Sequence, residues 1–333
     1  MSVSRAFVAA VLLAASSVVH AARQPTLPRP ADPFLDPKND PFNALRYIAS
    51  DVLTAVAFAL IMLVALAQTF LTYKFKAKFM LAMTIGCYTF AFGIGTRFGL
   101  HVHPESKGIY IVEYLFTVLS PCAFIAAEYV LLGRLARFLE CDKHLLVNPR
   151  RITIVFISSD ITTFLIQAAG GSVSISSNTS SVAITGSHIF LAGLVLQLAS
   201  FLVFTCIFFV FLYRVRTQEP QIWARDAGRV HWFRDWRTLL GAMMFSFLGI
   251  LIRSGYRVAE LSQGYIGHLA TTEGFFYGLD TLPLFLAISI YVVCWPPKYI
   301  GDGTAPAKVA AAVKENSIDS NSVPAEHTKE GAV

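Results

Sequence analysis

Apolar residues gather into seven stretches, at about 51–73, 79–100, 110–133, 152–171, 187–213, 238–261 and 275–295. Each is close to the twenty or so residues that carry a helix across bilayer hydrocarbon, so the pattern predicts an all-α membrane protein with a seven-transmembrane-helix bundle. Shorter and more polar segments frame the bundle. Residues 1–22 read as a signal peptide: Arg5 precedes an apolar run from Ala6 to about Val19, and Val19-His20-Ala21 supplies small residues at cleavage spacing. Residues 23–50 are rich in proline and are expected to be an extended, poorly ordered extracellular segment. The seven-helix domain then occupies 51–297, and 298–333 reads as a disordered cytoplasmic tail of small and polar residues.

The charges between the stretches set an orientation. Lys74, Lys76 and Lys78 fill the first loop; Arg134, Arg137, Lys143, Arg150 and Arg151 fill the third. The fifth loop carries Arg214, Arg216, Arg225, Arg229, Arg234 and Arg237, whereas the intervening loops hold Lys107 and no other Lys or Arg. Cytoplasmic loops are enriched in Lys and Arg, so the N-terminus is expected outside and the C-terminus in the cytoplasm. Asn178-Thr179-Ser180 is a glycosylation sequon in a loop placed outside by the same rule. Trp223, Trp232, Trp236 and Trp295 all fall at the inner side, where an aromatic belt would anchor the helices. Loop five, 214–237, mixes arginine with tryptophan and is expected to lie along anionic inner-leaflet lipids.

Composition agrees with the pattern: 55% of residues are hydrophobic and 14% charged, against about a quarter charged in soluble domains. The net charge of +6 is spread between apolar spans, so it does not indicate a nucleic-acid partner. The five cysteines fall in helices or beside their inner ends, which predicts neither a disulfide framework nor a metal or redox motif. Phosphate-loop, HExxH, GxSxG and dinucleotide-binding patterns are missing. Helix seven has no lysine for a retinal Schiff base, and the scattered histidines suggest no metal site. The expectation is therefore a protein that is not an enzyme and takes no cofactor.

Ionisable residues inside the spans are the informative ones, because each costs a few kcal/mol in lipid unless it faces protein or water. An outer set comprises Arg97, Glu113, Arg253, Arg257, Glu260, Glu273 and Asp280. Arg253, Arg257 and Glu260 are spaced by four and three residues, on one helical face, and the set nearly neutralises itself. It is either an ion-pair cluster fixing helix register or part of a substrate site. Arg257 is expected to pair with Glu260 or Asp280. An inner set comprises Asp160 and Glu128, with no Lys or Arg at matching depth. Gln167 follows Asp160 by seven residues on the same face. Buried acids without a cation either stay protonated on a neighbouring helix, hold a cation, or line a wet cavity. Gly86, Gly93, Gly95, Gly241, Gly249 and Gly255 allow close helix contact, and Pro121 and Pro283 free carbonyls inside helices three and seven.

Several motifs together resemble the fungal lipid-translocating exporter family, the resistance-to-aminocholesterol-like seven-helix proteins. They are Pro121 with Ala126-x-x-Tyr129-x-x-x-Gly133-Arg134; Asp160 with Gln167-Ala168-Ala169-Gly170-Gly171; Arg253-x-x-Tyr256-Arg257-x-x-Glu260 with Gly264; and Glu273-x-x-Phe276-Tyr277-x-x-Asp280. The resemblance covers about residues 45–300 and departs from the family at Trp295-Pro296, where His-Pro is frequent, and in the signal peptide. It implies movement or export of membrane lipids or amphiphilic toxins, such as sphingoid long-chain bases, with resistance to them, in the plasma membrane or another secretory membrane. The substrate-binding candidates are then Asp160, Glu128, Gln167, Arg253, Tyr256, Arg257, Glu260 and Asp280. The alternative is a seven-helix receptor or lipid sensor. Against it, helix three lacks an Asp-Arg-Tyr end, helix seven lacks Asn-Pro-x-x-Tyr, and no outer cysteine pair exists.

Overall fold

A computed structural model describes residues 32–300 except Pro41, Val147, Asn178, 225–234 and 265–266. The signal-peptide segment, the sequon asparagine, most of loop five and the tail therefore lie outside the described residues. Within them the structure is helical with no strand. Seven helices are long and apolar enough to span a bilayer: α1 Asp51–Lys74, α2 Lys78–Val102, α3 Lys107–Phe138, α4 Arg150–Ile175, α5 Ser181–Gln218, α6 Trp236–Ser262 and α7 Glu273–Ile300. Polar caps start several of them. Asn148 Oδ1 accepts from Arg150 N at 3.1 Å, and Asp235 Oδ1 accepts from Arg237 N at 2.9 Å. Most helices extend past the apolar stretches at one or both ends, α5 by several residues, because capping and helix propensity continue beyond the hydrophobic run.

Sequence neighbours pack side by side, and α7 closes the ring against α1. α3 is the central helix, with 67% of its apolar window buried against 28% for α1 and α4. At its middle, Tyr129 packs with Phe156 and Phe204, and Phe247 joins Phe201, Phe204 and Phe208, tying α3 to α4, α5 and α6. Among the described residues, alternating helices bring the Lys and Arg of the first and third loops, with Arg214, Arg216 and Arg237 of the fifth, to the end where α1 finishes, here the Lys74 end. There Lys143 Nζ lies 2.7 Å from Glu219 Oε1. That hydrogen bond holds the Glu219 carboxyl below its ordinary range.

The tightest helix contact is between α4 and α5. A Cβ on Gly170 would stand 2.4 Å from Phe190 N, and one on Gly186 would stand 2.4 Å from Ser174 N, so backbone meets backbone at both sites. Gly186→Val should cost about 1–3 kcal/mol or more through forced separation, read as a lowered thermal midpoint in detergent; an unchanged midpoint would refute the close contact. Gly86, Gly93 and Gly249 also meet neighbouring helices, but Gly241 and Gly255 meet nothing within 4 Å, which corrects their assignment to packing.

Two other expectations are corrected. Trp236 and Trp295 are buried at 2% and 0% exposure, so these two rings fill the core at the Lys74 end and take no part in a surface belt; half-buried Trp223 packs edge-on against Trp236, and Trp232 lies outside the described residues. Residues 43–50, expected to be poorly ordered, fold over the Asp51 end: Asn43 and Ala49 are buried and the Asn43 side chain caps Leu45 N.

Candidate functional site

Polar side chains gather at two levels. At the Asp51 end, α7 opens with a wide π-helical turn over Phe276–Thr281, immediately before Pro283. Proline cannot accept the regular helix beside its ring, and the extra residue of a π turn relieves that conflict. The turn carries the fully buried Asp280 toward α6. Arg257 Nε donates to Asp280 Oδ1, Arg257 Nη1 donates to Glu260 Oε2 at 3.0 Å, and Arg253 Nε lies 3.1 Å from the same Asp280 oxygen. Arg257 thus bonds both expected acids. Its guanidinium fork spans two carboxylates, which a lysine cannot reproduce.

Arg253 also explains Pro121. With no N–H at position 121, the Thr117 carbonyl loses its regular backbone donor and keeps from its own helix only the Ser120 hydroxyl, which donates to it at 3.2 Å. Arg253 Nη2 fills that place at 2.7 Å, pinning α6 to α3. Arg97 is fully buried and completes the cluster: it lies 3.2 Å from Glu113 and 3.3 Å from Glu273, donates to Tyr47 at 2.9 Å, and stands 4.1 Å over the Phe276 ring. Burial is the main cause that pushes the Tyr47 hydroxyl up to about 12, keeping it a neutral partner. Tyr47 was not legible as a site residue, since it sits in a segment without periodic pattern. Tyr256 lies apart from this network, donating to the Leu269 carbonyl at 3.2 Å.

The second level is deeper in the bundle. Glu128 is fully buried and accepts from Ser246 Oγ at 2.6 Å and from Tyr291 OH at 2.7 and 2.8 Å. Both oxygens are involved in this closed α3–α6–α7 contact. Asp160 differs. Oδ2 accepts from Tyr129 OH at 2.9 Å, while Oδ1 is buried without a hydrogen-bond partner. Asp160 lines a cleft of about 180 Å³ whose other walls come from α2, α3 and α4, including Ile85, Leu119, Cys122, Ala126 and Ile157. Ile85 is 57% exposed, so the cleft reaches the apolar outer face of the bundle. Gln167 stays on the same α4 face; its Nε2 donates to Gln197 Oε1 at 2.8 Å. The structure therefore separates two acids that look equivalent in the sequence. One is closed, and one is half-satisfied beside an apolar cleft.

An acceptor of this kind takes a donor: a buried carboxylate oxygen left bare is costly, whereas an ammonium or hydroxyl entering with its own apolar chain satisfies it and fills the cleft. Among the described residues no group of three or more His, Cys, Asp or Glu is placed to hold a metal ion. All five cysteines are free thiols.

Seven apolar helices around a central α3, with ionised groups turned into the bundle, define an integral multi-pass membrane protein. The chain belongs to the RTA1-like family: the family described as "RTA1 like protein" matches residues 83–302. It is 31% identical over 211 residues to Protein RTA1 of Saccharomyces cerevisiae, covering 63% of each chain. It is 29% identical over 208 residues to Protoporphyrin uptake protein 1 of the same species, covering 62% of this chain and 65% of that relative. It is 30% identical over 209 residues to the Sphingoid long-chain base transporter RSB1 of Saccharomyces cerevisiae strain YJM789, covering 53% of this chain and 54% of the relative. The chain thus spans less than two thirds of the length of each of these three relatives. No solved structure matches it.

Proposed function

We propose that this protein moves amphiphilic lipids with a cationic head group, of the sphingoid long-chain-base kind, across the membrane and so confers resistance to them. The observation that carries the reading is the bare Asp160 Oδ1 beside a cleft reaching the lipid-facing surface. The relative named as a sphingoid long-chain base transporter supports the same substrate class. In this reading Asp160 receives the ammonium, the apolar chain lies along Ile85 and Ile157, and protonation of the acid releases the head group. Glu128 and the Arg257 cluster hold the helices that shape the cleft. Reconstitution into vesicles tests it: protein-dependent transbilayer flux of a sphingoid base is expected, and binding without flux would instead favour a receptor or sensor.

The orientation goes with this reading. The Lys74 end faces the cytoplasm, residues 214–237 meet anionic inner-leaflet lipid, Asn178 faces the lumen and is glycosylated, and the plasma membrane is the site of action. The loop charges support it. Lys143→Cys, in a background without the native cysteines, should resist an impermeant maleimide in intact cells and react after permeabilisation. Labelling in intact cells would reverse the orientation.

A further inference from the structure

The α3–α4 seam holds a second unsatisfied acceptor. Gln167 is fully buried; its Nε2 is committed to Gln197, and its Oε1 has no partner. Gln167 lines a separate, smaller cleft of about 30 Å³ with Tyr114, Val118, Ala168 and Phe190. Phe164 lines both this cleft and the Asp160 cleft, so one ring stands where the two adjoin. A polar connection also links them: Gln197 Nε2 donates to Cys122 Sγ at 3.1 Å, Cys122 lines the Asp160 cleft, and Gln197 accepts from Gln167.

The volumes and spacing assign roles. The smaller cleft has room for a small polar group and not for an alkyl chain. Seven helical residues place Gln167 about 10 Å along α4 from Asp160, too far for one amino-alcohol head group to bridge. Tyr114 also lines the polar pocket around Glu113, Arg257 and Glu260, so the two clefts and this pocket follow one another along α3. From Tyr110 to Ala126 that row covers about 24 Å, most of the roughly 30 Å of bilayer hydrocarbon.

We propose that Gln167 forms a second head-group station for a long-chain amino alcohol, after Asp160 and past Phe164, with the alkyl chain remaining in lipid beside the α3–α4 seam. Gln167 Oε1 accepts from the ammonium or a hydroxyl, so the head group keeps a polar partner while it travels toward the Asp51 end. The inference rests on the Asp160 reading and extends it by naming the next contact.

The test uses the full chain in vesicles with a long-chain amino alcohol carrying a diazirine next to the amine, and maps photolabelled residues by mass spectrometry. Labels are expected in two groups, around Ile157–Ile161 and around Ala168–Gly171. Gln167→Leu should remove the second group, weakening that station about tenfold, the effect of losing one hydrogen bond to a charged donor, while the first group remains. Labels confined to the first group in the parent protein would overturn the second station and leave the Asp160 reading standing. Labels in neither group would overturn both. Should Gln167→Leu fail to fold, competition in the parent protein decides: an excess of unlabelled amino alcohol must suppress both groups, whereas an equal excess of a long-chain alkane must suppress neither. Persistence of the second group under amino-alcohol competition would refute a specific station.

Discussion

Arg257→Ala should sharply lower the yield of folded protein. The guanidinium bonds Asp280, which is fully buried, and Glu260, whose side chain is 17% exposed. Removing it leaves Arg253 alone, through Nε at 3.1 Å, to balance Asp280. Breaking a buried pair by deleting one partner costs about 3–5 kcal/mol, a large share of the roughly 5–15 kcal/mol that holds a domain folded. Monodisperse yield from detergent extracts and the thermal midpoint report the effect. Arg257→Lys keeps the charge but not the fork, so it should fall between parent and alanine variants. Asp280→Asn added to Arg257→Ala should recover part of the loss, since the deepest uncompensated charge is then gone. An Arg257→Ala protein with parental stability but no resistance would move this residue from the scaffold into the substrate path.

What the sequence revealed and concealed divides along physical lines. Span positions were legible because bilayer thickness imposes one length scale on all seven helices. The outer cluster was legible because Arg253, Arg257 and Glu260 repeat at helical spacing, and an ionised group at that depth must find a partner. The partners of lone residues were not. Tyr291 and Ser246 reach Glu128 from helices far along the chain, and nothing in their own segments marks them. The difference between Glu128 and Asp160 rests on helix rotation: each acid meets a tyrosine from another helix, but only Asp160 leaves its second oxygen without a donor beside a cleft. Trp236 and Trp295 misled for the same reason: end position in a span fixes depth but not the face a ring presents. The relation between Pro121 and Arg253 was half visible, since a freed carbonyl follows from proline alone, while the shorter of its two bonds comes from α6 and the other from Ser120.

Asp160→Asn should have the largest functional effect. The amide conserves size and can still accept from Tyr129, so the Tyr129 contact at 2.9 Å and the surrounding aromatic packing survive. The negative charge is lost, and with it the charge-assisted bond to an ammonium, about 1.5–3 kcal/mol or roughly ten- to a hundredfold in affinity. Folded yield should match the parent, which separates this variant from Arg257→Ala. Cells carrying it should lose protection against an added sphingoid base, while any protection against a neutral amphiphile of equal chain length persists.

The most direct measurement is transbilayer flux of a sphingoid base in vesicles containing equal amounts of folded parent or Asp160→Asn protein. The account predicts rapid flux with the parent and flux near the protein-free rate with Asp160→Asn. Equal flux from the two would contradict it, making Asp160 a structural acid and removing the cleft from the path of the cationic head group.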